Sequence, residues 1–256
     1  MASAASTLSS SGGNERFNQE AAAWDSNPFV HEMSIEAWKA LQKHIPALQT
    51  NGKNLDVLEI GCGTGLLSFL VAPSVHQVVA VDAAQGMIDV LQAKIERSDV
   101  KNIVPIAVLL EDPEDSNMPP ADNRREGPRK KFDIITSHLV LHHIPDLKPV
   151  LKTMLGCLKP GGTVALTDFE DFGPEAKRFH PESKMGGVER HGIDTNWMTN
   201  LMQEIGFKDV NVKVAWEHMK RVERWPGEFT PGQPIGTNQG EKMNFSYVLC
   251  MGTKPL

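Results

Sequence analysis

Apolar residues along the chain follow two rhythms. Val57–Ile60, Gln77–Asp82, Ile103–Leu110, Phe132–Ser137, Thr163–Asp168, Phe207–Val214 and Phe245–Met251 are short runs rich in Val, Ile, Leu and Phe. Such runs predict strands. Pro105 lacks a ladder donor and pushes the third run toward a sheet edge. Leu66–Val71, Gln85–Glu96, Leu147–Leu158 and Asp194–Ile205 repeat apolar residues at helical spacing. Asp194 is placed to cap the last of these helices, with Gly206 just past its end. Two further helices precede the first strand. Glu15–Trp24 sets Phe17, Ala21 and Trp24 on one face, Asn27-Pro28 interrupts it, and a second helix runs from about Val30 to His44.

The pattern divides the chain into a tail at 1–13, a helical lid at 14–50 and a main domain at 51–256. The tail is Ala/Ser/Gly-rich and is expected to be disordered. Stretches around 117–131, 169–193 and 224–241 are broken by Pro, Gly and charge and read as loop insertions.

The junction after the first strand carries the clearest chemistry. Glu59-Ile60-Gly61-Cys62-Gly63-Thr64-Gly65 ends a strand in three glycines at alternate positions, and a helix follows at once. Glycines there let backbone approach a ligand where a Cβ would collide, and the new helix offers unpaired N–H groups. A dehydrogenase turn reads G-x-G-x-x-G and a phosphate loop ends in Gly-Lys-Ser/Thr; this turn matches neither. Glu59 would repel a pyrophosphate and suits a cationic amino-acid group. Asp82 ends the second strand 21 residues after Gly61. A carboxylate at about that distance accepts from two ribose hydroxyls. The plainer role for Asp82 is an N-cap for the helix starting near Gln85.

These residues resemble motif I of the class I S-adenosylmethionine (SAM) methyltransferases, small-molecule type, similar to quinone-methylating enzymes. His138-Leu139-Val140-Leu141-His142-His143-Ile144-Pro145-Asp146 and Leu158-Lys159-Pro160-Gly161-Gly162 carry the likeness further. The resemblance implies a Rossmann-like three-layer α/β sandwich, with a seven-stranded, mostly parallel sheet and the N-terminal helical lid. It implies SAM as methyl donor. Gly61, Cys62, Gly63, Thr64 and Gly65 would lie under the methionine part, with Glu59 toward its amino group. Asp82 and Ala83 would meet the ribose and Met87 the adenine face. Glu111 or Asp112 would receive the adenine amino group; the two neighbours are not separated by sequence. Ser137 and His138 would line the methionine end, and Trp24 would close over the donor.

Charge and composition narrow the partners. Net charge is −6, so no broad basic surface invites nucleic acid. The basic residues within 117–131 lack interleaved aromatics to stack on bases. No apolar run approaches the length of about 20 residues that a membrane helix needs. Cys62, Cys157 and Cys250 are odd in number and lack metal-type spacing, which predicts reduced thiols in a cytoplasmic protein. The expected partner is a small molecule; oligomeric state is left open.

Methyl transfer is an in-line displacement at an activated carbon, so alignment supplies much of the rate. A hydroxyl or thiol acceptor also gains from a base, and histidine suits that work near neutral pH. His138, His142, His143, His180 and His191 fall in segments expected around the acceptor. His142, His180 and His191 are the candidates for base or for orienting substrate. His138 and His142 are four apart and could share a helical face with His180 or His191 as metal ligands. Without H-E-x-x-H or paired cysteines, no metal is expected. Protein or RNA methylation, a SAM-binding regulator without transfer and a nicotinamide dehydrogenase are the competing readings.

Overall fold

The computed structural model describes residues 11–122, 124, 126–233 and 235–256. Helices are α1 (Ser11–Trp24), α2 (Pro28–His44), α3 (Ala47–Thr50), α4 (Leu66–Val71), α5 (Gln85–Glu96), α6 (Leu147–Cys157) and α7 (Thr195–Ile205). Strands are β1 (Asp56–Ile60), β2 (Gln77–Asp82), β3 (Ile103–Ala107), β4 (Phe132–His138), β5 (Leu158–Phe169), β6 (Lys208–Val222) and β7 (Glu241–Thr253). They form one seven-stranded sheet in the order β3-β2-β1-β4-β5-β7-β6. Strands β1 to β5 run parallel and β7 is antiparallel to both β5 and β6. This is the Rossmann-like α/β sheet that the sequence implies.

Both faces of the central strands are covered, which is why they read as nearly continuous apolar runs. Leu58, Ile60, Val79, Val81 and Ile135 pack with residues of α6 and α7 on one face. Val57, Val78, Ala80 and Ile134 pack with residues of α2, α4 and α5 on the other. The strand order brings the carboxyl ends of β1 and β4 together where the order reverses, and ligands of open α/β sheets bind at such a point. Helix α2 seats Ala37 and Leu41 in the core, while its Phe29 and Met33 pack against Phe169 and Phe179 and α1 packs against α5. Asn27 caps α2 by accepting from Phe29 N.

Several boundaries shift for physical reasons. The disorder expected at Met1–Gly13 falls mostly outside the described residues, and Ser11 to Gly13 open α1. Strand β3 stops at Ala107 and is the edge strand that Pro105 suggested. The Lys159–Gly162 segment is an excursion inside β5: Leu158 pairs Phe132, and pairing resumes at Thr163 with Ile134. Strand β6 runs on to Val222 rather than ending at Val214, because a bulge between Val214 and Trp216 breaks its alternation without ending its pairing. The lengthened β6/β7 hairpin adds Val222, Phe245 and Tyr247 to a separate aromatic cluster with Met33, Phe169 and Phe179. Among the described residues, no helix is long and apolar enough to cross a membrane. All three cysteines are free and buried.

Candidate active site

The glycine turn is built as a shelf. Gly61 N and Cys62 N both donate to Val81 O, at 2.8 and 3.0 Å, which locks the turn onto β2. Gly61, Gly63 and Gly65 have φ of 72°, 52° and 81°, a region that costs side chains dearly. A Cβ on Gly61 would sit 2.5 Å from Val140, and one on Gly65 would sit 2.4 Å from Leu91. Those two glycines are required by packing. Gly63 differs: a Cβ there meets nothing within 4 Å. Its bare backbone faces open space, as a ligand floor must.

Asp82 fixes that floor. One carboxylate oxygen accepts from Gly63 N at 2.8 Å and the other from Ala84 N at 2.8 Å. The cap residue of α5 is Ala84, without a side-chain cap, so Asp82 reaches across to the glycine turn instead of capping the helix. Burial raises the Asp82 carboxyl above its usual range, while its two backbone donors pull it down.

Glu59 is buried beneath the turn and accepts from Ser68 Oγ of α4. Burial pushes it up to about 8, the Ser68 hydrogen bond opposes the rise and neighbouring Asp82 adds to it. The folded protein therefore holds a proton that the unfolded chain releases near 4.5. Stability of the ligand-free protein should fall as pH rises from about 4.5 to about 8, then level off. Denaturant unfolding of the wild type and Glu59→Gln across that range checks it. The slope difference between the two should vanish above the upper limit. An ammonium-bearing ligand would favour the ionised form, so its binding at pH 7 should release part of a proton, seen by calorimetry in two buffers.

The lid is pinned by polar contacts that the sequence did not signal. Asn18 Oδ1 accepts from Gly86 N at 2.7 Å. Asp25 accepts from Thr64 Oγ1 and, at 2.6 Å, from Lys94 Nζ, which also donates to Thr64 O. Trp24 packs edge-on to Phe17, and both join Ala21, Ala84 and Met87 in one cluster. Trp24, Met87 and half-buried Ala83 therefore lie on the Asp82 side of the shelf. Glu111 and Asp112 are exposed beyond β3; Asp112 Oδ1 accepts from Glu114 N, and Glu111 O accepts from Thr153 of α6. Ser137 is buried and donates to Ile60 O at 2.7 Å, tying β4 to the shelf.

The histidines take positions that helical spacing did not foresee. His138 ends β4, Leu139 turns with φ of 56°, and Leu141–His143 is a single 3₁₀ turn. His138 and His142 consequently share no helix face. His138 Nδ1 meets Thr167 Oγ1 at 2.8 Å, and burial lowers its pKa to about 4. His142 is buried, with Nδ1 at 2.8 and 3.0 Å from the two Asp168 oxygens. Asp168 also accepts from Phe169 N and His142 N. Burial raises the Asp168 carboxyl, but His142 and these backbone donors bring it below the usual range. His143 Nδ1 lies 2.7 Å from Gly187 O, and its pKa falls to about 4 through burial and neighbouring His142. His180 packs on both rings, at centroid distances of 5.0 and 5.9 Å, and burial lowers its pKa strongly. His191 is half-buried outside this cluster.

Segment 187–193 clamps the histidine turn. Glu189 N donates to His142 O, and the Arg190 guanidinium donates to the carbonyls of Leu141, Ile144 and Pro145. Phe17 of the lid packs on His143 at 5.2 Å, while Phe169 and Phe179 stack behind His142 and His180. The glycine shelf and the histidine cluster thus share a lid and are joined through Val140.

A family model described as a methyltransferase domain matches residues 29–212, most of the chain. The chain belongs to the class I SAM-dependent methyltransferases. It is similar to an uncharacterized methyltransferase of Schizosaccharomyces pombe, 26% identical over 62% of this chain and 55% of the relative. The chain spans about half the length of that relative. An uncharacterized Mycobacterium tuberculosis methyltransferase is 32% identical over 66% of this chain and 68% of its own length. A ubiquinone biosynthesis O-methyltransferase of Coxiella burnetii is 31% identical over 43% of this chain and 42% of its own. Among solved structures, the N-methyltransferase NodS of Bradyrhizobium japonicum shares the fold, with a TM-score of 0.53 and 16% identity over 91% of this chain and 99% of its own. So does a Haemonchus contortus phosphoethanolamine N-methyltransferase in complex with SAM, with a TM-score of 0.56 and 14% identity over 94% and 60%. Membership of this family implies SAM as the methyl donor. The bare floor at Gly63 beside a carboxylate fits that donor, and the Glu59 carboxyl below suits its ammonium group.

Proposed function

We propose that the enzyme moves the SAM methyl group to an oxygen, sulfur or nitrogen of a small organic acceptor, releasing S-adenosylhomocysteine. A secondary metabolite or quinone-like phenol is the acceptor class we favour. The observation that carries this reading is the histidine cluster, walled by Phe17, Phe169 and Phe179 immediately beyond the glycine shelf. Aromatic walls with a few polar groups suit a small, largely apolar acceptor. The similarity to a ubiquinone biosynthesis O-methyltransferase supports the same class.

In this reading the donor lies over Gly61 to Gly65. Asp82 and Ala83 hold its ribose, Trp24 and Met87 flank its adenine, and Glu59 faces its ammonium. Glu111 or Asp112 takes the adenine amino group, and Ser137 and His138 bound the methionine end. His142 orients or deprotonates the acceptor, with Asp168 holding its ring. The lid excludes water from the line of attack.

A labelled-methyl screen of phenols, thiols and amines, with RNA and protein pools alongside, tests the proposal. Transfer to small acceptors is expected. Label appearing only in RNA, with binding that collapses at high salt, would reject it. Binding of SAM with no homocysteine product from any pool would indicate a regulator instead.

A further inference from the structure

We propose that His142, His143 and His180 form a three-histidine site for a divalent cation of the zinc type, with an open position for the hydroxyl or thiol of the acceptor. The open-position role rests on the small-acceptor reading above; the cation site does not. One ligand atom from each ring lies within 4.8 Å of the other two. A tetrahedral site with metal–nitrogen bonds of about 2.0–2.1 Å sets its nitrogens about 3.4 Å apart. Modest side-chain rotations close that gap.

The hydrogen bonds orient the rings for this task. Gly187 O can only accept, so His143 Nδ1 carries the proton and Nε2 keeps its lone pair. Ionised Asp168 likewise accepts from His142 Nδ1–H and leaves Nε2 as the lone-pair nitrogen. Metal-binding histidines commonly have their second nitrogen held by a carboxylate or a carbonyl in this way. His142 Nε2 and His180 Nδ1 are buried without a hydrogen-bond partner among the described residues. A buried polar atom left without a partner is costly, and a bound cation would remove that cost. An Asp168–His142 base pair alone would leave His143 and His180 unexplained; a cation uses all three. Imidazole donors without thiolates select zinc-like ions over magnesium or calcium. Asp168 supplies negative charge behind the site.

Three protein ligands leave one position open. An acceptor hydroxyl or thiol bound there loses its proton to solvent. Its lone pair then forms the bond to the methyl carbon, while the carbon–sulfur bond of the sulfonium breaks and that pair stays on sulfur.

The test uses the full chain, stripped with chelator and titrated with zinc or cobalt salts alone. We expect one ion per chain after gel filtration and the visible absorption of four-coordinate cobalt. His143→Ala and His180→Ala should each weaken metal affinity by at least about a hundredfold, and His31→Ala should not. SAM affinity of the two variants, measured without metal, should stay near wild type and shows that they are folded. Failure of the folded wild type to retain an ion, or wild-type metal affinity in both variants, would overturn the site. Stoichiometric metal with transfer only to amines would overturn the open-position role alone.

Discussion

Asp82→Ala should weaken SAM binding by at least about tenfold, equivalent to about 1.4 kcal/mol. The argument starts from lone pairs. Each Asp82 oxygen spends one on a backbone N–H, of Gly63 or of Ala84. Each retains another, and Gly63 beside them is open where a Cβ would point. Two ribose hydroxyls donating there make charge-assisted bonds, which are the strong ones. Removing the carboxylate loses those bonds and also strands Gly63 N–H, so the floor loses its hold as well as its acceptor. Asp82→Asn should do little better, because its amide must point donors at one of the two backbone N–H groups. Calorimetry with SAM, beside a thermal melt to show folding, checks both variants. Unchanged affinity in a folded Asp82→Ala protein would remove Asp82 from the ribose.

The parts of this protein that were legible in its sequence are those where one local rule acts alone. Strand β2 and helices α4 and α5 match their predicted spans because apolar runs and turn residues agree there. The glycine turn and Asp82 could be paired from spacing, since a crossover unit fixes the distance between two parallel strand ends. What the sequence hid depends on non-local contact. Nothing near Asp25 announces Thr64 and Lys94 as partners 39 and 69 residues away. His143 stood in the same run as His142 but carried no separate signal. Its partner is a carbonyl 44 residues on, and a carbonyl leaves no mark on a sequence. The helical spacing of His138 and His142 pointed to the wrong geometry because Leu139 takes a left-handed conformation that ends β4 abruptly. Asp168 read as the end of a strand, and only the parallel pairing of β4 with β5 sets it beside the histidine turn.

That hidden pairing carries the second large effect. Asp168→Ala should cost about 3–5 kcal/mol of stability, since each buried donor left without a partner costs about 1–3 kcal/mol. The carboxylate is fully buried and accepts from His142 Nδ1, His142 N and Phe169 N, so its loss strands three donors at once. At roughly 2–4 °C per kcal/mol for a chain of this size, the melting temperature should drop by about ten degrees. Asp168→Asn separates packing from chemistry. Its oxygen can still accept from backbone, and it keeps the volume, so most of the stability should return. Its neutral oxygen, however, accepts from His142 Nδ1–H more weakly than a carboxylate, and its amide nitrogen can only donate to that ring atom. The tautomer protonated at Nε2, which covers the lone pair aimed at the cluster, then gains population. Nitrogen-15 spectra of His142 should report that tautomer exchange in a protein that melts near wild type and binds SAM normally. A tautomer ratio in Asp168→Asn unchanged from wild type would mean that the Asp168 charge does not set the His142 tautomer. An Asp168→Ala protein as stable as wild type would mean that the buried pair contributes nothing to the fold.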